Sequence, residues 1–508
     1  MVDATATAQS RENAEQGADA QSAKIGLLTK LAYGFGAVAY GVKNNGFDYF
    51  LLTFYGLVVG LDERLVGLSV LIALVFDAVS DPLVGYISDN FRSKWGRRHP
   101  FMYASAIPVA VSFFFLWNPP FDWSQTALFW YLTILSIIIR TCITFYETPS
   151  AAMTPELTSD YNERTSLLGY RFYFGWTGGN AMSVLMWGVL LVATPQFGPD
   201  PRANLDGWFA YGLIGASLIF LAIIVSAAGT HHMIPKMRAA PPKRQMSIGR
   251  IFGEVWETLA NRSFAALFLG ALLSAVASGI GAALAFVILP LFWGFSGGQI
   301  FIWSIFVFVS AALAFILAPM AAKRWGKKRA AIILGLGGFW ISPMPVVLRL
   351  FGLMPENGDP ILFPILLAVN TIDLAMIISF SILFSSMIAD LVEQSELKTE
   401  RRSEGLFAAA VTFIRKSVQG FGVLGAGFII WAADFPEQES SFQPLSADQI
   451  PADALWRLGA YYAPALLILY TLMLIAISFY KIDKTQHEEN LRALAEKRGA
   501  GQTDQGAN

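Results

Sequence analysis

The sequence predicts an all-α polytopic membrane protein, with twelve transmembrane helices in two six-helix halves. Three observations predict it. Of 508 residues, 55% are hydrophobic and only 14% are charged, against about a quarter charged in a typical globular chain. Twelve stretches are apolar and long enough for a helix to cross a bilayer, which takes about 20 residues. A basic Trp-Gly loop after the second stretch returns after the eighth. The same composition excludes other classes. With 40 Phe and 14 Trp there is more apolar surface than a soluble core needs. A net charge of −1 gives no electrostatic case for nucleic acid. The single cysteine, Cys142, rules out a disulfide framework or a Cys-based metal site and reads as a small packing residue. The four histidines, His99, His231, His232 and His487, lie at or beyond the ends of apolar runs, so no metal-ligand cluster is expected.

Taken in order, residues 1–26 are polar, lack the features of a secretory signal and read as a disordered cytoplasmic N-terminus. The spans of the first half fall near 27–58, 63–89, 100–118, 125–155, 165–194 and 207–230. Residues 231–262 are basic, contain Pro241-Pro242 and read as a cytoplasmic linker. The second half, 263–480, holds spans near 263–293, 299–322, 329–352, 360–390, 405–432 and 456–480. Residues 481–508 read as a solvated cytoplasmic tail. One alternating set of loops carries nineteen Lys and Arg, whereas the other has Arg64, Arg202 and Arg457, plus Arg349 at a helix end. The basic set therefore faces the cytoplasm, and an even number of spans puts both termini there. The repeated loop is Arg92-Ser-Lys94-Trp95-Gly96-Arg97-Arg98 and Lys323-Arg324-Trp325-Gly326-Lys327-Lys328-Arg329, offset by 230 residues. Both copies are expected to brace cytoplasmic helix ends.

Charges inside a bilayer cost several kcal/mol, so each is a functional candidate. Asp77 and Asp81, four residues apart on the second span, stack on one helix face. Two such carboxylates repel unless a cation lies between them or one is protonated. Ser80 adds an oxygen, and Pro82 loosens the helix. The pair suits Na⁺ or H⁺, or a structural ion pair with an Arg from another helix. On the fourth span Arg140, Thr144 and Glu147 share a face, and Arg140 and Glu147 are placed to neutralise each other in part. The fifth span carries Arg171, Trp176 and Asn180. A guanidinium fork with a nearby aromatic suits a sugar, although a lone Trp also serves as an interface anchor. The first span holds Tyr40, Lys43, Asn44, Asn45 and Asp48, which need a wet cavity or partners. The eleventh holds Arg415, Lys416 and Gln419. Asp373 on the tenth span stands alone and reads as packing or a local hydrogen bond.

Several segments together resemble one family. They are Tyr33-Gly-Phe-Gly-Ala37, Asp77-Ala-Val-Ser-Asp81-Pro82 with Gly85, the Arg92-Ser-Lys-Trp-Gly loop, and Glu396-Leu-Lys398 before Arg402-Ser-Glu404. They look like the glycoside–pentoside–hexuronide:cation symporters, of the major facilitator superfamily. The resemblance runs from about residue 28 to 425. It implies the twelve-helix major facilitator fold and a cation site on Asp77, Ser80, Asp81 and Thr144. It implies a sugar site on Glu147, Arg171 and Lys416, and a cytoplasmic gate of Arg164, Asp390, Glu393 and Arg402. The family's first-helix sugar-binding Asp falls at Gly41 and its fourth-helix sugar-stacking Trp at Ala151. Asn44, Asp48 and Trp176 are the candidates to compensate.

The expected function is therefore secondary active transport: symport of a sugar or glycoside with Na⁺ or H⁺ by alternating access. The extra positive charge of Arg140 favours an acidic sugar such as a uronide. No cofactor is expected beyond the coupling ion, and no metal beyond Na⁺. The expected partners are a small-molecule substrate, a monovalent cation and the lipid bilayer, not nucleic acid, and the expected location is an inner membrane. A lysolipid or other amphipath transporter of the same fold, and a non-transporting membrane sensor, are the alternatives. An enzyme would need a nucleophile or metal cluster, which the sequence does not display.

Overall fold

The computed structural model describes residues 25–158, 161–197, 200–237, 262–399, 420–436 and 450–479. The first span is a broken rod. Helices α1 (Leu27–Phe35) and α2 (Ala37–Asn45) meet at Gly36, and the chain continues through π-helical stretches Gly46–Phe50 and Thr53–Val58. There follow α3 (Glu63–Asn90), α4 (His99–Leu116), α5 (Gln125–Ala152), α6 (Tyr161–Leu185) and α7 (Leu205–His231). The later chain forms α8 (Arg262–Val287), α9 (Gly297–Trp325), α10 (Lys327–Ile341), α11 (Met344–Leu350), α12 (Leu362–Thr399), α13 (Gly420–Ala432) and α14 (Ala452–Ser478).

Among the described residues, eight segments are long and apolar enough to cross a membrane by length and composition. They are α4, α5, α7, Ala265–Phe292, α9, Lys327–Leu350, Leu362–Met387 and α14. Helices α3 and α6 are comparably long, at 28 and 25 residues, but α3 carries Asp77 and Asp81 and α6 carries Arg171. Of the expected eleventh span only α13 is described; Arg415, Lys416 and Gln419 lie outside the described residues. Local signals fix the helix starts. Ser124 and Asn204 accept hydrogen bonds from Ala127 N and Gly207 N at the starts of α5 and α7, and Ser296 with Gln299 forms a capping box on α9.

Backbone proximity divides the chain into two units: Met1–Leu51 with Leu68–Arg244 and Ser440–Pro444, and Leu52–Gly67 with Gln245–Glu439 and Leu445–Asn508. In the first unit α2 packs on α6, α4 on α5 and α7, and α1 on α6 and α7. Its core holds Phe50, Phe113, Trp117, Trp208 and Tyr211, with the two indoles stacked at 5.8 Å. In lipid the hydrophobic drive between helices is weak, so close backbone approach matters more. Here Gly41 of α2 meets Gly175 and Gly179 of α6, a small-xxx-small pair. A Cβ on Gly41 would stand 2.1 Å from the Gly175 carbonyl oxygen. In the second unit α8 packs on α14, and α9 and α10 pack on α12. Phe339 stacks on Tyr470 at 4.3 Å there.

The repeated loop has a conformational counterpart. Gly96 and Gly326, at matching places in the two copies, take φ of +71° and +75°, a left-handed conformation that glycine adopts at least cost. After Gly96 come charge clamps: Arg97 and Arg98 both reach the Glu156 carboxylate, at 2.7 and 3.0 Å, and Arg98 also meets Asp89 at 2.6 Å. After Gly326, Lys328 Nζ donates to the Ser478 carbonyl at the end of α14, 3.1 Å away.

Candidate transport site

The polar residues of the first unit converge where α3, α5, α6 and the broken first span carry them. Asp77 and Asp81 lie one turn apart on α3, as their spacing requires. Asp77 is buried and Arg140 of α5 is wholly enclosed, and Arg140 Nη1 donates to Asp77 Oδ2 at 2.9 Å. The Arg140 guanidinium also sits over the Phe47 ring, 5.4 Å from its centroid. Thr144, one turn further along α5, brings its hydroxyl between the two carboxylates. Its Oγ1 lies 3.3 Å from Asp77 Oδ1, 2.9 Å from Asp81 Oδ1 and 3.0 Å from the Arg140 carbonyl. One hydroxyl has a single proton to donate and two lone pairs to accept with, so Thr144 serves one carboxylate as donor at a time.

The structural alternative that the sequence left open for the aspartates is present: Arg140 forms an ion pair with Asp77 from another helix. Ser80 donates its hydroxyl to the Asp77 backbone carbonyl at 3.3 Å, a bond within its own helix.

Arg171 is 6% exposed and lies against two rings, 5.2 Å from Tyr33 and 5.7 Å from Tyr40. Its Nη1 donates to Tyr33 OH at 3.3 Å and to Ser150 Oγ at 2.5 Å. Glu147 acts on it through space. Trp176 is half-buried, and its carbonyl accepts from Asn180 at 2.9 Å. Asn44 and Asp48 are half-buried beside the first π-helical stretch; such stretches occur often at functional sites. Asn45, on the same turn, is buried, and its Nδ2 donates to Ser183 Oγ at 3.0 Å. Gly41 sits in the helix crossing and leaves no room for the family's carboxylate, whereas Ala151 is exposed.

Of the expected gate, Arg164 donates its Nε to the Thr158 carbonyl at 3.1 Å. Asp390 and Glu393 fall on α12 with side chains outside the described residues, and Arg402 and the substrate candidate Lys416 lie outside them altogether. Sequence reasoning missed several participants. Tyr33, Ser150 and Phe47 line the two arginines, and Glu156 closes the Arg97–Arg98 clamp. Glu156 carried a legible signal, an acid just past the fourth span facing a basic loop. His99 and His231, treated as scattered helix-end residues, lie 5.4 Å apart by ring centroids beside Tyr103 and Trp95. His99 bonds Thr230 at 3.0 Å. Among the described residues no group of three or more His, Cys, Asp or Glu side chains could hold a metal ion.

Helices of this length and composition, with buried charges inside one unit, mark a polytopic membrane protein. The chain belongs to the MFS/sugar transport protein family, whose signature matches residues 32–484. It is 25% identical over 483 residues to a putative glycoside/cation symporter of Escherichia coli, covering 94% of this chain and 96% of that one. It is 36% identical to an uncharacterized symporter of Synechocystis, in an alignment covering 34% of this chain and 32% of that protein. Among solved structures, a xylose transporter of E. coli superposes with a TM-score of 0.56 at 15% identity, covering 92% of this chain and 98% of that one.

Proposed function

We propose that this protein carries a sugar or glycoside across the cell membrane in symport with a monovalent cation, by alternating access, with both termini cytoplasmic. The observation that carries the reading is the group of buried Asp77 and Thr144 with half-buried Asp81 on α3 and α5. It is a set of oxygen donors deep among membrane helices, where charge is costly and is kept for a purpose. The group serves the coupling ion. Arg171 and Glu147 bind substrate hydroxyls or a carboxylate, Trp176 offers an aromatic face, and Asn44 and Asp48 complete the shell, to which the resemblance adds Lys416. Thr144 and Glu147, three residues apart on α5, share a helix face, so ion and substrate groups lie on one rigid rod. Filling either site then changes the free energy of filling the other, and that reciprocal coupling is what symport requires. The resemblance assigns Arg164, Asp390, Glu393 and Arg402 to a cytoplasmic gate; as exposed ion pairs are weak singly, such a gate would depend on a network.

Purified protein in liposomes, loaded with one of a panel of pentosides, hexosides and uronides, tests the reading by counterflow of the labelled sugar. Saturable exchange for one sugar class is the expected result. Exchange of a lysolipid analogue with no sugar exchange would replace the reading by amphipath transport. Ligand binding without any exchange would replace it by a sensor.

A further inference from the structure

The resemblance implies a cation site, for Na⁺ or H⁺, at Asp77, Ser80, Asp81 and Thr144, and the residues present do not fit Na⁺. We propose that Arg140 is the resident cation of this site: its guanidinium takes the place beside Asp77 that a metal ion would need, so the protein binds neither Na⁺ nor Li⁺. The inference deepens the symport reading, on which it rests, by naming the residue that sets ion selectivity.

Four observations support it. First, Arg140 Nη1 is 2.9 Å from Asp77 Oδ2, so one oxygen of the Asp77 carboxylate is already bound to a full positive charge. Second, that charge cannot be switched off or moved aside cheaply. Arginine stays protonated in proteins, and this one is wholly buried with Phe47 against its guanidinium. Third, the neighbouring hydroxyls already have protein partners. Thr144 Oγ1 lies 3.3 Å from Asp77 Oδ1 and 2.9 Å from Asp81 Oδ1, and the Ser80 hydroxyl donates to the Asp77 backbone carbonyl. A Na⁺ bridging Asp77 and Asp81 would share the Asp77 carboxylate with a guanidinium and repel it at contact range. Fourth, Arg140 answers the electrostatic problem the sequence poses, since two carboxylates one turn apart call for a cation between them and the chain supplies its own. Besides Asp77, Asp81 and Arg140, the charged residues on the elements that meet here are Lys30, Lys43 and Asp48 on the first span, Glu63, Arg64 and Asp89 on α3, and Glu147 on α5. Excluding the alkali ions leaves the proton as the coupling ion.

The decisive measurement is binding of radioactive Na⁺ to the purified full-length protein in detergent, with choline replacing Na⁺ to hold ionic strength. Alongside it, melting temperature is followed against NaCl and LiCl. Wild-type protein should show no saturable Na⁺ binding and no Na⁺- or Li⁺-specific rise in melting temperature. Arg140→Ser opens the position beside Asp77 and should acquire saturable Na⁺ binding that Asp77→Asn/Arg140→Ser lacks. Saturable Na⁺ binding to the wild type would overturn the proposal, and so would a folded Arg140→Ser that binds no Na⁺. Should Arg140→Ser fail to fold, the wild-type titration alone decides. Failure of the underlying symport reading looks different: sugar would exchange, or not, without accumulating under either a Na⁺ or a proton gradient.

Discussion

Breaking the Arg140–Asp77 pair from one side should be far worse than removing it from both. Arg140 and Asp77 are 0% and 2% exposed and touch at 2.9 Å. Unit charges about 4 Å apart at an effective dielectric of about 20 attract by roughly 4 kcal/mol. Most of that attraction offsets the cost of taking both charges out of water. Arg140→Gln alone takes the guanidinium from the Asp77 carboxylate beside Asp81, and Asp77→Asn alone takes this carboxylate from the buried guanidinium. Each single change should cost about 3–5 kcal/mol, whereas the double variant, which strands neither charge, should cost much less than the sum. The assay is a double-mutant cycle on denaturant unfolding of the purified protein in detergent. Interaction energies above about 0.5 kcal/mol mark direct partners. Singles that add to give the double would refute the pair and, with it, the account of the site.

Other perturbations follow from the same geometry. Thr144→Val keeps the shape and removes the hydroxyl set between Asp77 and Asp81; a hydrogen bond to a charged group contributes about 1.5–3 kcal/mol, so coupling should weaken, seen as a lower accumulation ratio with exchange retained. Arg171→Gln should keep the fold, judged by melting temperature, and lose substrate affinity tenfold or more, about 1.4 kcal/mol; a large drop in melting temperature with unchanged affinity would make Arg171 structural. Gly41→Ala places a methyl 2.1 Å from the Gly175 carbonyl and should cost about 1–3 kcal/mol as the helices part, read as a lower melting temperature. Glu156→Gln takes the shared anion from Arg97 and Arg98 while Asp89 still holds Arg98, so it should destabilise less than the Arg140 change in the same unfolding assay.

What could be read from the chain alone divides along physical lines. The helical class, the repeated loop and the one-face placement of Asp77 with Asp81 and of Arg140 with Thr144 rest on period and spacing, which sequence carries directly. The partner of Arg140 does not. Periodicity tells which residues share a face but not which helix crosses it, and Asp77 reaches Arg140 only through packing. The same limit hid Tyr33 and Ser150 beside Arg171, brought from α1 and α5 to α6. Gly41 read as a missing carboxylate, and the crossing with Gly175 gives the reason for a glycine there. The π-helical stretches of the first span left no sequence signature, since they arise from one extra residue per turn rather than from a residue type.

The most direct test of ion-coupled sugar transport compares the wild type with Asp81→Asn in liposomes, under an imposed inward cation gradient and with counterflow measured in parallel. Asp81 faces Thr144 at 2.9 Å and is assigned to the ion, not to the sugar. The wild type should concentrate the labelled sugar above its external level, and Asp81→Asn should exchange the same sugar without concentrating it. Normal concentrative uptake by Asp81→Asn would contradict the assignment of this carboxylate to the coupling ion.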